Sequence, residues 1–114
     1  MAIHHIVLFQ FKDDATPEVV QDTCTKMLGL KDSCIHPTTA KPYVKASMGG
    51  KNMSIEGLEN GITHAFVVEF ETLADRDFYV KEDKVHHGFV QQYILAPEAP
   101  IAKAQVIDFV PGAM

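Results

Sequence analysis

The sequence contains no tryptophan, only two cysteines and no long run of apolar residues. No apolar run is longer than Ile6–Phe9, whereas a helix needs about 20 such residues to cross a bilayer. The N-terminus also lacks the basic region, apolar stretch and cleavage site that make up a signal peptide. We therefore expect a protein with no membrane-spanning segment and no membrane partner.

The two cysteines, Cys24 and Cys34, form no C-x-x-C motif. Cysteine this sparse favours a reducing compartment over a disulfide framework, so we expect a cytoplasmic protein. The net charge is −5, and no cluster of Lys or Arg alternates with aromatic residues, which argues against nucleic-acid binding. The six histidines show no H-x-x-x-H or H-E-x-x-H spacing, so we predict no metal site.

The length of 114 residues favours one domain that spans residues 1–114. Alternating apolar residues indicate strands, and a Thr-Pro helix start followed by apolar residues at helical spacing indicates the first helix. The pattern predicts strands at about 3–11, 43–48, 62–71 and 102–110, and helices at about 16–33, 72–80 and 84–95. This β-α-β-β-α-β order predicts a ferredoxin-like α+β fold, with helices on one face of an antiparallel sheet.

Both faces of the predicted strands are largely apolar, which indicates that both faces of the sheet are covered in the assembled protein. Two helices alone are not expected to cover all of the apolar residues on the strands, which include Ile3, Val7, Phe9, Phe66, Val68 and Phe70. We therefore expect a second copy of the chain to pack against the open sheet face, which gives a homodimer with a barrel-like interior.

Three segments of the chain resemble the stress-responsive dimeric α+β barrel (Dabb) family. They are His5–Lys12, the segment from Ser54–Gly57 to Gly61–Phe66, and Val85–Phe89. The resemblance implies a homodimer joined through the open sheet faces. The best-understood enzymatic relative is olivetolic acid cyclase, a cofactor-free polyketide cyclase, so the resemblance implies a similar enzyme that needs no cofactor.

The resemblance also implies roles for particular residues. The essential histidine of the cyclase lies in a His-x-Gly-Phe context, which His86 matches, and two further histidines match His5 and His64. Its tyrosine partner matches Tyr79 with a one-residue offset. A pocket tyrosine on the first helix is replaced here by Met27, which implies a different substrate.

Histidine and tyrosine are proton-transfer groups, and apolar surroundings tune their pKa values. We expect His86 to act as general base, Tyr79 to donate a hydrogen bond to the developing enolate, and His5 to orient a hydrophobic, polyketide-like keto compound. The expected substrate-binding residues are Val7, Phe9, Met27, His64, Phe66, Val85 and Phe89. The outcome remains open among cyclisation, elimination, isomerisation and decarboxylation. Two alternatives are a non-catalytic, stress-responsive dimer that binds a small ligand, and a cofactor-free oxygenase.

Overall fold

The computed structural model describes residues 2–114 and shows the predicted order of elements. The strands are β1 (Ile3–Phe11), β2 (Val44–Lys51), β3 (His64–Phe70) and β4 (Ile101–Phe109). The helices are α1 (Pro17–Ser33), α2 (Leu73–Lys81) and α3 (Lys84–Val90), and α3 continues as a π-helical segment, Gln91–Leu95. None of the helices in the described part of the chain is long and apolar enough to cross a membrane.

The four strands form one antiparallel sheet in the order β2-β3-β1-β4. The central strands β3 and β1 pair along most of their length, with Val7 opposite Phe66. β4 pairs with the other side of β1, with Val106 opposite Val7. The ferredoxin-like α+β fold is thus confirmed.

Side-chain caps determine where the helices begin. The Thr16 hydroxyl accepts a hydrogen bond from the Val19 amide, and Pro17 occupies the first turn of α1. The Thr72 hydroxyl accepts from the Asp75 amide at the start of α2. α3 begins at Lys84, only three residues after α2 ends at Lys81, and Asp83 caps it. The short α2–α3 junction brings the end of one helix close to the start of the next.

The six residues expected to be too many for the helices to cover lie on the helix-facing side of the sheet. Ile3, Val7, Phe9, Phe66, Val68 and Phe70 are all at most 6% exposed. That part of the sequence-based reasoning was wrong, because α1, α3 and the π-helical segment cover this side with residues such as Met27, Leu30 and Tyr93.

The opposite side of the sheet, which we call the open sheet face, carries apolar residues without cover from any helix. The strand register aligns four of them in one row across the sheet, from Met48 through Val67 and Ile6 to Ile107. Met48 and Ile107, at the two ends of the row, are each 63% exposed. The uncovered apolar surface therefore lies on the open sheet face, to which Ile6 belongs.

Candidate functional site

A cavity of about 750 Å³ lies between the helix-facing side of β1 and β4 and the helices that cover it. The sheet forms one wall, and α1, α2, α3 and the π-helical segment form the other. The lining residues are His5, Val7, Phe9, Met27, Arg76, Asp77, Tyr79, Val80, Lys81, His86, Phe89, Val90, Ile94, Ala104, Val106 and Asp108. The volume is in the usual range for a small-molecule site.

The sheet wall of the cavity changes from polar to apolar along its length. Three pairs of neighbours on β1 and β4 follow one another: His5 with Asp108, Val7 with Val106, and Phe9 with Ala104. At the rise of a β-strand, the first and last pairs are roughly 13 Å apart. The cavity therefore has a polar end at His5 and an apolar end at Phe9.

His86 is held at the polar end in a defined tautomer. Its Nδ1 lies 2.9 Å from the carbonyl oxygen of Tyr79, and a carbonyl oxygen only accepts hydrogen bonds, so Nδ1 carries the proton. Burial lowers the pKa of His86 to about 4, despite this hydrogen bond. The ring is therefore neutral at pH 7, and Nε2 keeps a free lone pair. A neutral imidazole of this kind is able to take a proton.

The Tyr79 ring supports His86 and connects it to His5. The rings of Tyr79 and His86 stack with centroids 3.9 Å apart, and His5 meets Tyr79 edge-on at 5.8 Å. Burial, and then the nearby Cys34 and Asp83, raise the pKa of the Tyr79 hydroxyl above its ordinary value. Neither Cys34 nor Asp83 lines the cavity, so the groups that act on the hydroxyl lie outside it.

His5 is held by Asp108, which is bound in turn by Arg76. It is 4% exposed and donates from Nδ1 to Oδ1 of Asp108 over 2.7 Å. Arg76 donates to the other oxygen of Asp108 over 2.8 Å and to Asp77 over the same distance. Because Asp108 accepts from two sides, it fixes the His5 ring from β4 and ties α2 to the sheet edge.

The structure brings together seven of the ten residues singled out from the sequence. The residues His5, Val7, Phe9, Met27, Tyr79, His86 and Phe89 all line the cavity. The other three lie elsewhere.

His64, Phe66 and Val85 do not line this cavity. His64 starts β3, where its ring packs edge-on against Phe11 with centroids 5.0 Å apart, beyond the apolar end. Phe66 is 1% exposed and packs behind Phe9, so Phe9 separates it from the cavity. Val85 is 45% exposed because it lies on the outer face of α3.

Sequence reasoning missed the acidic and basic residues of the polar end. Asp108 is 103 positions from His5, and only the antiparallel pairing of β1 with β4 brings the two together. Arg76 looked like an ordinary charged residue on a short helix. One signal for Asp108 was available in the sequence. A carboxylate within a predicted strand needs a partner, and the predicted last strand contains Asp108. In residues 2–114, no three His, Cys, Asp or Glu side chains are grouped so as to hold a metal ion.

Residues 3–111 match the Stress responsive A/B Barrel Domain family, and the chain belongs to it. It is 29% identical over 112 residues to the stress-response A/B barrel domain-containing protein HS1 of Arabidopsis thaliana, across 98% of this chain and 92% of that protein. The expected family resemblance is thereby confirmed.

Solved structures show the same fold at lower identity. The hydroxynitrile lyase of Passiflora edulis superposes with a TM-score of 0.77 at 16% identity, over 99% of this chain and 96% of the lyase. A protein from Jannaschia sp., described as a dimeric ferredoxin-like protein of unknown function, superposes with a TM-score of 0.71 at 14% identity, over 96% and 99% of the two chains.

Proposed function

We propose that the protein is a cofactor-independent acid–base enzyme that removes a proton from a hydrophobic, polyketide-like keto compound. One observation carries this proposal. His86 lines a largely apolar cavity as a neutral ring whose Nδ1 proton is bound by the Tyr79 carbonyl, so Nε2 is the acceptor. A base held in this way needs no further group to activate it.

The two ends of the cavity suggest how the substrate is oriented. The carbonyl groups lie at the polar end, between His86 and His5, and the apolar part extends towards Phe9 and Ala104. Nε2 of His86 takes the proton, and the electron pair of the broken C–H bond moves onto the carbonyl oxygen. Because Asp108 binds the Nδ1 proton of His5, the His5 ring is fixed at the polar end, where it orients the carbonyl groups. Tyr79 stacks against the His86 ring and lines the same cavity, where its hydroxyl donates a hydrogen bond to the developing enolate.

The low pKa of His86 restricts which substrates can react. A base with a pKa of about 4 has little driving force at neutral pH. The carbon that loses the proton must therefore be acidic already, as a carbon between two carbonyl groups is. The enolate then has the chemistry for aldol cyclisation, elimination, isomerisation or decarboxylation, and the similar fold of a lyase is compatible with elimination.

Hydrogen–deuterium exchange tests this proposal before the natural substrate is identified. The protein in D₂O is expected to accelerate loss of the ¹H NMR signal between the two carbonyls of alkyl 1,3-diketones and β-keto acids. The neutral His86 is the active form, so the catalysed rate is level above about pH 5 and falls at lower pH with a midpoint near 4. A base of ordinary pKa would give a midpoint near 6.5.

The protein-free solution at each pH supplies the background rate, and circular dichroism identifies any pH at which the protein unfolds. Binding of these compounds without accelerated exchange would replace the enzyme proposal with the ligand-binding alternative. A midpoint near 6.5 would show that His86 is not the base.

We also propose that the protein is a homodimer in which two open sheet faces pack together. Met48, Val67, Ile6 and Ile107 form an apolar row across that face, and a two-fold axis lets each row meet its copy. A similar fold described as dimeric supports this arrangement.

Substitution of Ile107 by lysine tests the dimer. Two unpaired ammonium groups would be buried in the interface, so the dissociation constant is expected to rise at least about 100-fold. Sedimentation velocity over a concentration series measures this change. Leu95→Lys is the matched control, because Leu95 is 65% exposed, close to the 63% of Ile107, but lies in the π-helical segment. A monomeric wild-type protein, or a dimer that tolerates the lysine at 107, would contradict the proposal.

A further inference from the structure

The α2–α3 junction contains a buried carboxylate that the proposed reaction does not use. Asp83 is 4% exposed and does not line the cavity. One of its oxygens accepts from the amides of Val85 and His86, over 2.9 and 3.2 Å. The other accepts from the Tyr43 hydroxyl, which comes from the residue before β2. The carboxylate therefore joins the start of α3 to the sheet edge.

A helix cap by itself requires neither burial nor charge. The exposed, neutral hydroxyls of Thr16 and Thr72 cap α1 and α2. Burial of a carboxylate costs free energy unless hydrogen bonds and charges compensate it. Here three donors compensate it. A charged cap at this one helix start therefore calls for a function that the other two caps do not have.

We propose that Asp83 is a positioning residue for His86, which fixes the backbone of the base and stabilises the imidazolium formed when the base takes a proton. This inference rests on the proposed role of His86 as general base. The bond from the His86 amide to the carboxylate places a negative charge beside the residue that becomes positive during the reaction.

The other groups around His86 show why such a charge matters. Burial, His5 and His87 all lower the pKa of His86, whereas the hydrogen bond to the Tyr79 carbonyl and the charge of Asp83 raise it. Without Asp83, the base would be weaker still. Tyr43 donates to the carboxylate and thereby holds it in place.

The substitution Asp83→Asn separates charge from capping, because asparagine caps helices as well as aspartate does. We expect the pKa of His86 in an NMR titration to fall below its wild-type value. The catalysed exchange at pH 7 is expected to slow by about two-fold, because the Asp83 charge is the smallest of the influences on the His86 pKa and a rate follows only part of a change in base pKa. Asp83→Ser, which caps as Thr16 and Thr72 do, is expected to behave in the same way if the asparagine variant folds poorly.

Glu82→Gln is the matched control, because it removes the same charge from the adjacent, exposed position and should change neither quantity. An unchanged pKa of His86 in both the asparagine and serine variants would overturn the inference and leave Asp83 as a helix cap. The titration needs no turnover. A wild-type protein that fails to catalyse exchange, but whose His86 pKa falls when Asp83 is replaced, would therefore contradict the proposed function and not the role of Asp83.

Discussion

Replacement of His86 by glutamine is expected to lower catalysed proton exchange at pH 7 by at least about 100-fold, the usual contribution of a general base. Glutamine has a similar length, and its amide can still donate to the Tyr79 carbonyl, but it has no nitrogen that takes a proton. The loss should therefore appear in kcat, while calorimetry should show ligand affinity within a few-fold of wild type. An effect on affinity alone would mean that His86 contributes to binding only.

The adjacent histidine provides a matched control for this substitution. His87 has the same chemistry, but its ring is exposed, bonds to the Val80 carbonyl over 2.8 Å and does not line the cavity. His87→Gln is expected to retain catalysed exchange within about two-fold, because surface changes of this kind rarely alter a site. A larger loss in the His87 variant than in the His86 variant would reverse the assignment of the base.

The fold was predictable because its signals are local. Period-two alternation in β1 and the Thr-Pro start of α1 each depend on a few neighbouring residues. The π-helical segment was not predictable, because its sequence continues the helical pattern of α3 without a residue that marks a wider turn. The six residues that were expected to need cover from a second copy were misjudged, because the number of covering side chains depends on how the helices pack, which periodicity does not show.

The candidate site was predictable only in part, for a related reason. The motif around His86 indicated a histidine at a helix start, but the partner that sets its tautomer is a backbone carbonyl, which carries no sequence signal. Asp108 and Tyr43 reach their partners across 103 and 40 positions of the chain. Such contacts follow from strand register, and a one-residue change of register would remove them.

Substitution of Gly49 by alanine is expected to have the largest effect on stability. Gly49 lies opposite Phe66 in the sheet, and the ring of Phe66 lies over it. A Cβ atom at Gly49 would overlap that ring and lie 2.6 Å from the carbonyl oxygen of Ala65. The ring is 1% exposed and packs against Phe9, so it has no space to move. We expect a loss of roughly 3 kcal/mol in the free energy of unfolding, the upper range for overpacking.

Thermal and chemical denaturation measure this loss, which corresponds to a fall of about 10 °C in Tm for a domain of this size. Gly29→Ala is the control, because a Cβ there meets nothing within 4 Å and Gly29 lies inside α1. That change should raise stability by about 0.5–1 kcal/mol, since alanine favours the helix. A Gly49 variant as stable as wild type would show that Phe66 can shift. Phe9, which packs on Phe66 and lines the apolar end of the cavity, would then have no fixed support.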